Sequence, residues 1–137
     1  RRAHLRPSAD RAAGLVLSRE PAVTAMMDIS DGLLMDLNRL CKSSGVAAGI
    51  YPGRIPVHPV ARRAFRSLGK NPQDEAAVGG EDYVLLFTVR PPVPDLIDAR
   101  YTCIGRMLKT VTGGTAIYNM ERRPPRRIRV KGFLHRF

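Results

Sequence analysis

The stretch MMDISDGLLMDL (residues 26–37) changes its rule in the middle. Up to Ile29 it completes a compact apolar run that opens after Pro21, the pattern of a mostly buried strand. From Asp31 onward Leu33, Leu37, Leu40 and Cys41 recur at three- and four-residue steps, and Leu34 widens the stripe. Asp36, Asn38, Arg39 and Lys42 are read as facing elsewhere, which predicts an amphipathic helix. Ser30 or Asp31 is its expected cap and Gly45 its expected stop. A buried strand turning directly into a helix is the building unit of a layered α/β protein, so this junction decides the fold class.

Working outward, VAAGIY (residues 46–51) predicts a second strand, and Pro52, Pro56 and Pro59 break the chain after it. Residues 59–68 place Val60, Ala64, Phe65 and Leu68 on one helical face, with Gly69 as the stop. GGEDYVLLFTV (residues 79–89) predicts a central strand over 82–89, entered through a glycine turn and ended by Pro91, Pro92 and Pro94. A short helix over 95–99 and a strand in YTCIGRML follow. A turn over 112–115, a short strand over 116–120 and a basic loop ending in GFLHRF complete the chain. Strands and helices interleave, which predicts an α/β or α+β layer domain without internal repeats.

The 137 residues, 44% of them hydrophobic, fit one globular domain with its own core. No apolar run approaches the roughly 18 residues of a membrane span, and the Arg-rich opening lacks the apolar centre of a signal peptide, so the expectation is a soluble, intracellular protein. Cys41 and Cys103 form no CxxC pair, and His4, His58 and His135 are scattered, which argues against a zinc site. The chain does not begin with methionine, which suggests a fragment or a processed product. The formal charge of +11 raises the question of a polyanionic partner. Arg122, Arg123, Arg126, Arg127, Arg129 and Lys131 concentrate it near the end, but aromatic residues are only 6%, too few for interleaved stacking platforms. A solvated basic segment and a polyanion-binding surface both fit this pattern.

The junction itself carries chemistry. A helix start offers unpaired N–H groups and a partial positive charge, which favour phosphate oxygens. Carboxylates beside it suit Mg²⁺, which takes oxygen ligands and commonly bridges one or two carboxylates to phosphates. Asp28 and Ser30 share one face of an extended chain, and the turn brings Asp31 round. Helix capping explains one or two of these residues equally well. Asp28 is left over, because a carboxylate ending an apolar strand is costly without a partner. GGEDY admits two readings as well: plain turn chemistry, or a close backbone approach that presents Glu81 and Asp82. Phe133 reads as a core anchor or as an aromatic wall against a cationic ligand. No GxxxxGK[ST] loop, GxGxxG fingerprint or GxSxG elbow occurs.

The segments AMMDISDGLLMDL, SGVAAGI, IPVHP, GGEDYVLLFTV, IGRM and GFLHRF, in this order, resemble the C-terminal half of thiamine-monophosphate kinase over residues 6–137. DISDGL followed by GGEDY distinguishes that family from its relatives, aminoimidazole ribonucleotide synthetase, selenophosphate synthetase and a hydrogenase maturation factor. The resemblance implies a three-layer α/β/α domain with a mixed sheet, like the C-terminal domain of aminoimidazole ribonucleotide synthetase. It implies transfer of the ATP γ-phosphoryl group to thiamine monophosphate, Mg²⁺-assisted and in line, in a cytoplasmic homodimer. By carry-over Asp28 and Asp31 bind Mg²⁺, Ser30 contacts ATP, and Glu81 and Phe133 bind the thiamine substrate. It further implies that residues 1–137 are one C-terminal domain, inactive alone, whose N-terminal nucleotide-binding and dimer-forming half is absent. The closing pattern departs from the family, with Leu134 where Asp is expected and Arg136 inserted. The alternative is a non-catalytic basic module of the same fold that binds nucleic acid or another polyanion.

Overall fold

The structure, a computed structural model, describes residues 11–80, 83–110 and 114–130. Helix α1 (Arg11–Ser18) leads into strand β1 (Val23–Asp28), helix α2 (Leu33–Ser44) and strand β2 (Ala47–Ile50). A 3-10 turn (Pro52–Arg54), helix α3 (Pro59–Ser67) and helix α4 (Pro72–Val78) then precede strand β3 (Leu85–Val89). Helix α5 (Asp95–Arg100) and strands β4 (Gly105–Leu108), β5 (Ile117–Asn119) and β6 (Arg126–Arg127) follow. This is the expected mixed α/β class.

The described strands form two sheets. β1 and β3 pair antiparallel, with Asp28 opposite Leu85 and Val23 opposite Val89. The other sheet runs β4-β2-β5-β6 and is mixed, because β2 is antiparallel to β4 and parallel to β5. All four residues of β2 are buried, so both of its faces lie in the core. Its pairing with β4 is so close that a side chain on Gly105 would collide with the Gly49 carbonyl, which is why glycine stands there.

Helix α2 organises the interior. Leu33, Leu34, Leu37, Leu40 and Cys41 are buried as the periodicity predicts, and each buried leucine contributes roughly 1.5–3 kcal/mol relative to exposure. The helix packs on β1, β2 and α4. Its core cluster takes in Ile50 and Ile117 from the mixed sheet and Leu86 from β3, so one interior joins both sheets. Gly45 stops the helix at φ 64°, and the Val46 N–H donates back to the Cys41 carbonyl at 3.0 Å, a Schellman-type closure. Burial pushes the Cys41 thiol pKa up.

Two readings of the sequence need correction. Neither Ser30 nor Asp31 caps α2; Gly32 does, at φ 105° and ψ 147°, and no side chain supplies a cap bond. Asp36 does not face outward but is fully buried. The helix expected over 59–68 forms as α3, but no residue of it is buried, and Val60 and Leu68 are 58% and 71% exposed. Helix α4, passed over in the sequence, starts at Asn71, whose Oδ1 accepts from the N–H groups of Gln73 and Asp74, with Pro72 leading the first turn. β3 and β4 are each shorter than expected, and among the described residues no helix is long and apolar enough to cross a membrane.

Candidate active site

β1 delivers the chain to the junction. Past Asp28, the Ile29 N–H donates to the Val84 carbonyl at 2.9 Å, and the Tyr83 N–H donates to the Ile29 carbonyl at 3.0 Å. Tyr83 adopts φ 50°, which turns the chain as it enters β3. On the other side, Gly32 lies so close to the end of α4 that an added Cβ would stand 2.8 Å from the Val78 carbonyl oxygen and 3.1 Å from that of Gly79. The DISDG segment therefore touches the GGEDY segment at both of its ends, at Val78 and Gly79 on one side and at Tyr83 and Val84 on the other. Two motifs about fifty residues apart in sequence form one locus.

Asp36 organises that locus from inside the helix. Its Oδ2 accepts the N–H groups of Ser30 at 2.9 Å and Asp31 at 3.0 Å, while its Oδ1 accepts from Arg39 Nη1 at 2.7 Å. Arg39 Nη2 also forms an ion pair with Asp31 Oδ2, so one guanidinium spans two carboxylates. Hydrogen bonds that Arg39 donates to Asp31 first, and then to Asp36, raise its pKa. A buried carboxylate is costly unless its lone pairs are met, and these three bonds meet them.

The sequence-predicted residues fall as follows. Asp28 lies at the end of β1 and is exposed, so the supposed penalty of a buried carboxylate does not arise there. Ser30 and Asp31 are partly buried, and Asp31 keeps a side-chain exposure of 31%. Glu81 and Phe133 lie outside the described residues. Among the described residues, no three Asp, Glu, His or Cys side chains gather into a metal cage. The junction nevertheless holds an all-oxygen donor set, two carboxylates and a hydroxyl, of the kind Mg²⁺ takes when phosphates complete its shell.

Asp36, Arg39 and Gly32 were not among the sequence candidates. The signal for Asp36 was available: it stands three residues after Leu33 and four before Leu40, on the apolar stripe itself, and a lone acid on such a stripe is an anomaly. Elsewhere, an open groove of about 460 Å³ is lined by Asn38 and Lys42 of α2 and by Ile117, Arg127, Ile128 and Arg129 among others. It includes none of Asp28, Ser30 and Asp31.

Fold and junction define a member of the aminoimidazole ribonucleotide synthetase-like α/β class. No family model matches the chain. It is 42% identical over 85 residues to the thiamine-monophosphate kinase of Aquifex aeolicus, covering 62% of this chain and 27% of that one. It is 33% identical over 114 residues to the thiamine-monophosphate kinase of Corynebacterium glutamicum, covering 78% and 33%. Among solved structures it is similar to AaThiL complexed with AMPPCP and TMP, with a TM-score of 0.72 and 32% identity over 98% of this chain and 40% of that one. Over the part it shares with them, the chain is a homologue of the thiamine-monophosphate kinases, and it spans well under half the length of these relatives.

Proposed function

We propose that this chain is the C-terminal domain of an ATP-dependent kinase that converts thiamine monophosphate to thiamine diphosphate. The observation that carries the reading is the junction of DISDG with GGEDY, in a fold that superimposes over nearly its whole length on a relative described with AMPPCP and TMP. AMPPCP is an ATP analogue, so the two ligands of that relative correspond to donor and acceptor of a phosphoryl transfer.

In this reading Asp28 and Asp31 hold Mg²⁺ at the end of β1, and Ser30 donates its hydroxyl to an ATP phosphate. Bound Mg²⁺ would supply neutralisation of the charge that develops on the transferred group. The protein's own task is then placement: the strand end and the Gly32 turn fix where two anionic substrates meet, in line for direct transfer. Glu81, two residues after Gly79, faces a thiazolium cation in this assignment, and Phe133 offers the ring's aromatic neighbour. The complete enzyme is a cytoplasmic homodimer whose N-terminal part completes the nucleotide site and the dimer contact. The isolated chain is inactive.

The test takes the whole natural polypeptide containing this chain, incubates it with Mg-ATP and thiamine monophosphate, and quantifies thiamine diphosphate by chromatography. Asp28→Asn should lower the rate by about a hundredfold or more, the scale of several kcal/mol of metal-supplied charge stabilisation. An unchanged rate with unchanged Mg²⁺ dependence would refute the metal role.

A second reading rests on the groove beside Lys42, Arg127 and Arg129, set in a chain of formal charge +11. There the fold would serve as a basic module for a polyanion. Binding to a nucleic-acid heteropolymer that falls steeply with salt and ignores thiamine monophosphate would favour it.

A further inference from the structure

We propose that Asp36 is the positioning residue of this site and that Arg39 is its exchangeable counter-ion. Asp36 clamps the backbone of Ser30 and Asp31, and Arg39 holds the Asp31 carboxylate until a divalent cation displaces it. The second part rests on the reading of Asp31 as a metal ligand, whereas the first does not.

The two residues differ in how firmly they are held. Asp36 has a side-chain exposure of 0% and three acceptor bonds, two of them from successive backbone N–H groups of the loop. Those two bonds fix the peptide planes on either side of Ser30, and so the directions in which Ser30 and Asp31 leave the chain. Gly32 supplies the turn these bonds require, at a φ that other residues rarely adopt. Arg39 is 51% exposed and reaches both carboxylates from the helix surface. Exposed ion pairs contribute little net stability, because water solvates the parted charges nearly as well. The Arg39–Asp31 contact, between side chains 51% and 31% exposed, can therefore part while Arg39 Nη1 keeps its bond to buried Asp36.

Charge gives the exchange its direction. One guanidinium serves two carboxylates, and exposed Asp28, three residues before Asp31, has no side-chain hydrogen bond or ion pair among the described residues. Asp31 and Asp36 thus share a single guanidinium. A divalent cation at Asp31 replaces a single charge with a double one at the same carboxylate, and a smaller ion makes the closer approach. Arg39, once parted from Asp31, stays bonded to Asp36 and remains a cation beside the incoming phosphates.

The test uses the whole natural polypeptide containing this chain, ¹⁵N-labelled, as wild type, Asp36→Asn, Arg39→Ala and Arg39→Lys. Amide hydrogen exchange reports the clamp. In Asp36→Asn the Ser30 and Asp31 amides should exchange at least tenfold faster, while the Ala48 amide, bonded to the Ala116 carbonyl within the mixed sheet, keeps its rate. Unchanged Ser30 and Asp31 rates would overturn the positioning role. Equal acceleration at Ala48 would overturn it too, because Asp36 would then serve the whole core and not the loop. Calorimetric titration with Mn²⁺ reports the exchange. Arg39→Ala should bind the ion about tenfold more tightly than wild type, with Arg39→Lys between them. Unchanged or weaker binding in Arg39→Ala, where Asp31→Asn abolishes binding, would overturn the counter-ion role alone. If wild type and Asp31→Asn both fail to bind Mn²⁺, the metal reading itself falls and the exchange with it. The Asp36 clamp is then decided by the amide rates.

Discussion

Helices α2 and α3 carry similar apolar patterns and meet different fates. α2 buries Leu33, Leu34, Leu37, Leu40 and Cys41 together with Asp36, whereas α3 buries nothing among the described residues. They are opened differently, α2 by Gly32 at a positive φ and α3 by His58, whose Nδ1 accepts from the Val60 N–H before Pro59. The difference lies in what stands opposite. α2 is enclosed by β1, β2 and α4, while α3 touches chiefly α4 and leaves Val60 and Leu68 open. An amphipathic stripe states that a face can be buried; only the surrounding topology states whether it is. The helix with neighbours on several sides is also the one that carries the site.

Substitutions can break this contrast or sharpen it. The largest effect is expected at Leu37, 4% exposed: Leu37→Ala should cost about 2–5 kcal/mol, read from urea unfolding. A loss below about 1 kcal/mol would mean that α2 is not the organising helix. Next comes Gly32→Ala, which forces a side chain into a glycine-only conformation at a cost of about 1–3 kcal/mol and against the Val78 carbonyl. That variant should also separate the two motifs, seen as shifted amide resonances at both Ser30 and Tyr83; resonances unmoved at Tyr83 would show that the two are not coupled through Gly32. The smallest effect is expected on α3, where Leu68→Ser should change stability by no more than about 0.5 kcal/mol. A clear destabilisation there would mean that α3 has a covered face after all.

Much of the architecture was legible in the sequence. β1, α2 and β2 announce themselves through uninterrupted apolar runs, a stripe at helical spacing and Gly45, because local pattern and tertiary burial agree there. α4 was missed although Asn71, Pro72, Asp74 and Glu75 spell a helix start, because its seven residues are too few for a periodicity to show. Of the site, the placement of Asp28, Ser30 and Asp31 at a strand-to-helix junction followed from chain order. The brace between Gly32 and Val78 did not, since a contact between distant segments leaves no trace in either one alone. Asp36 was misread because polarity was weighed above position: its charge suggested solvent, whereas its place on the stripe pointed inward.

The antiparallel pairing of β1 with β3 has a kinetic consequence. Asp28 stands opposite Leu85, and a chain must close that long loop before either motif acquires its neighbour. Contacts so distant in sequence form slowly, because the entropy of closure precedes any reward from packing. The junction is therefore a late product of folding, complete only when the second strand has arrived, and a growing polypeptide carries DISDG for the whole interval as an unassembled part.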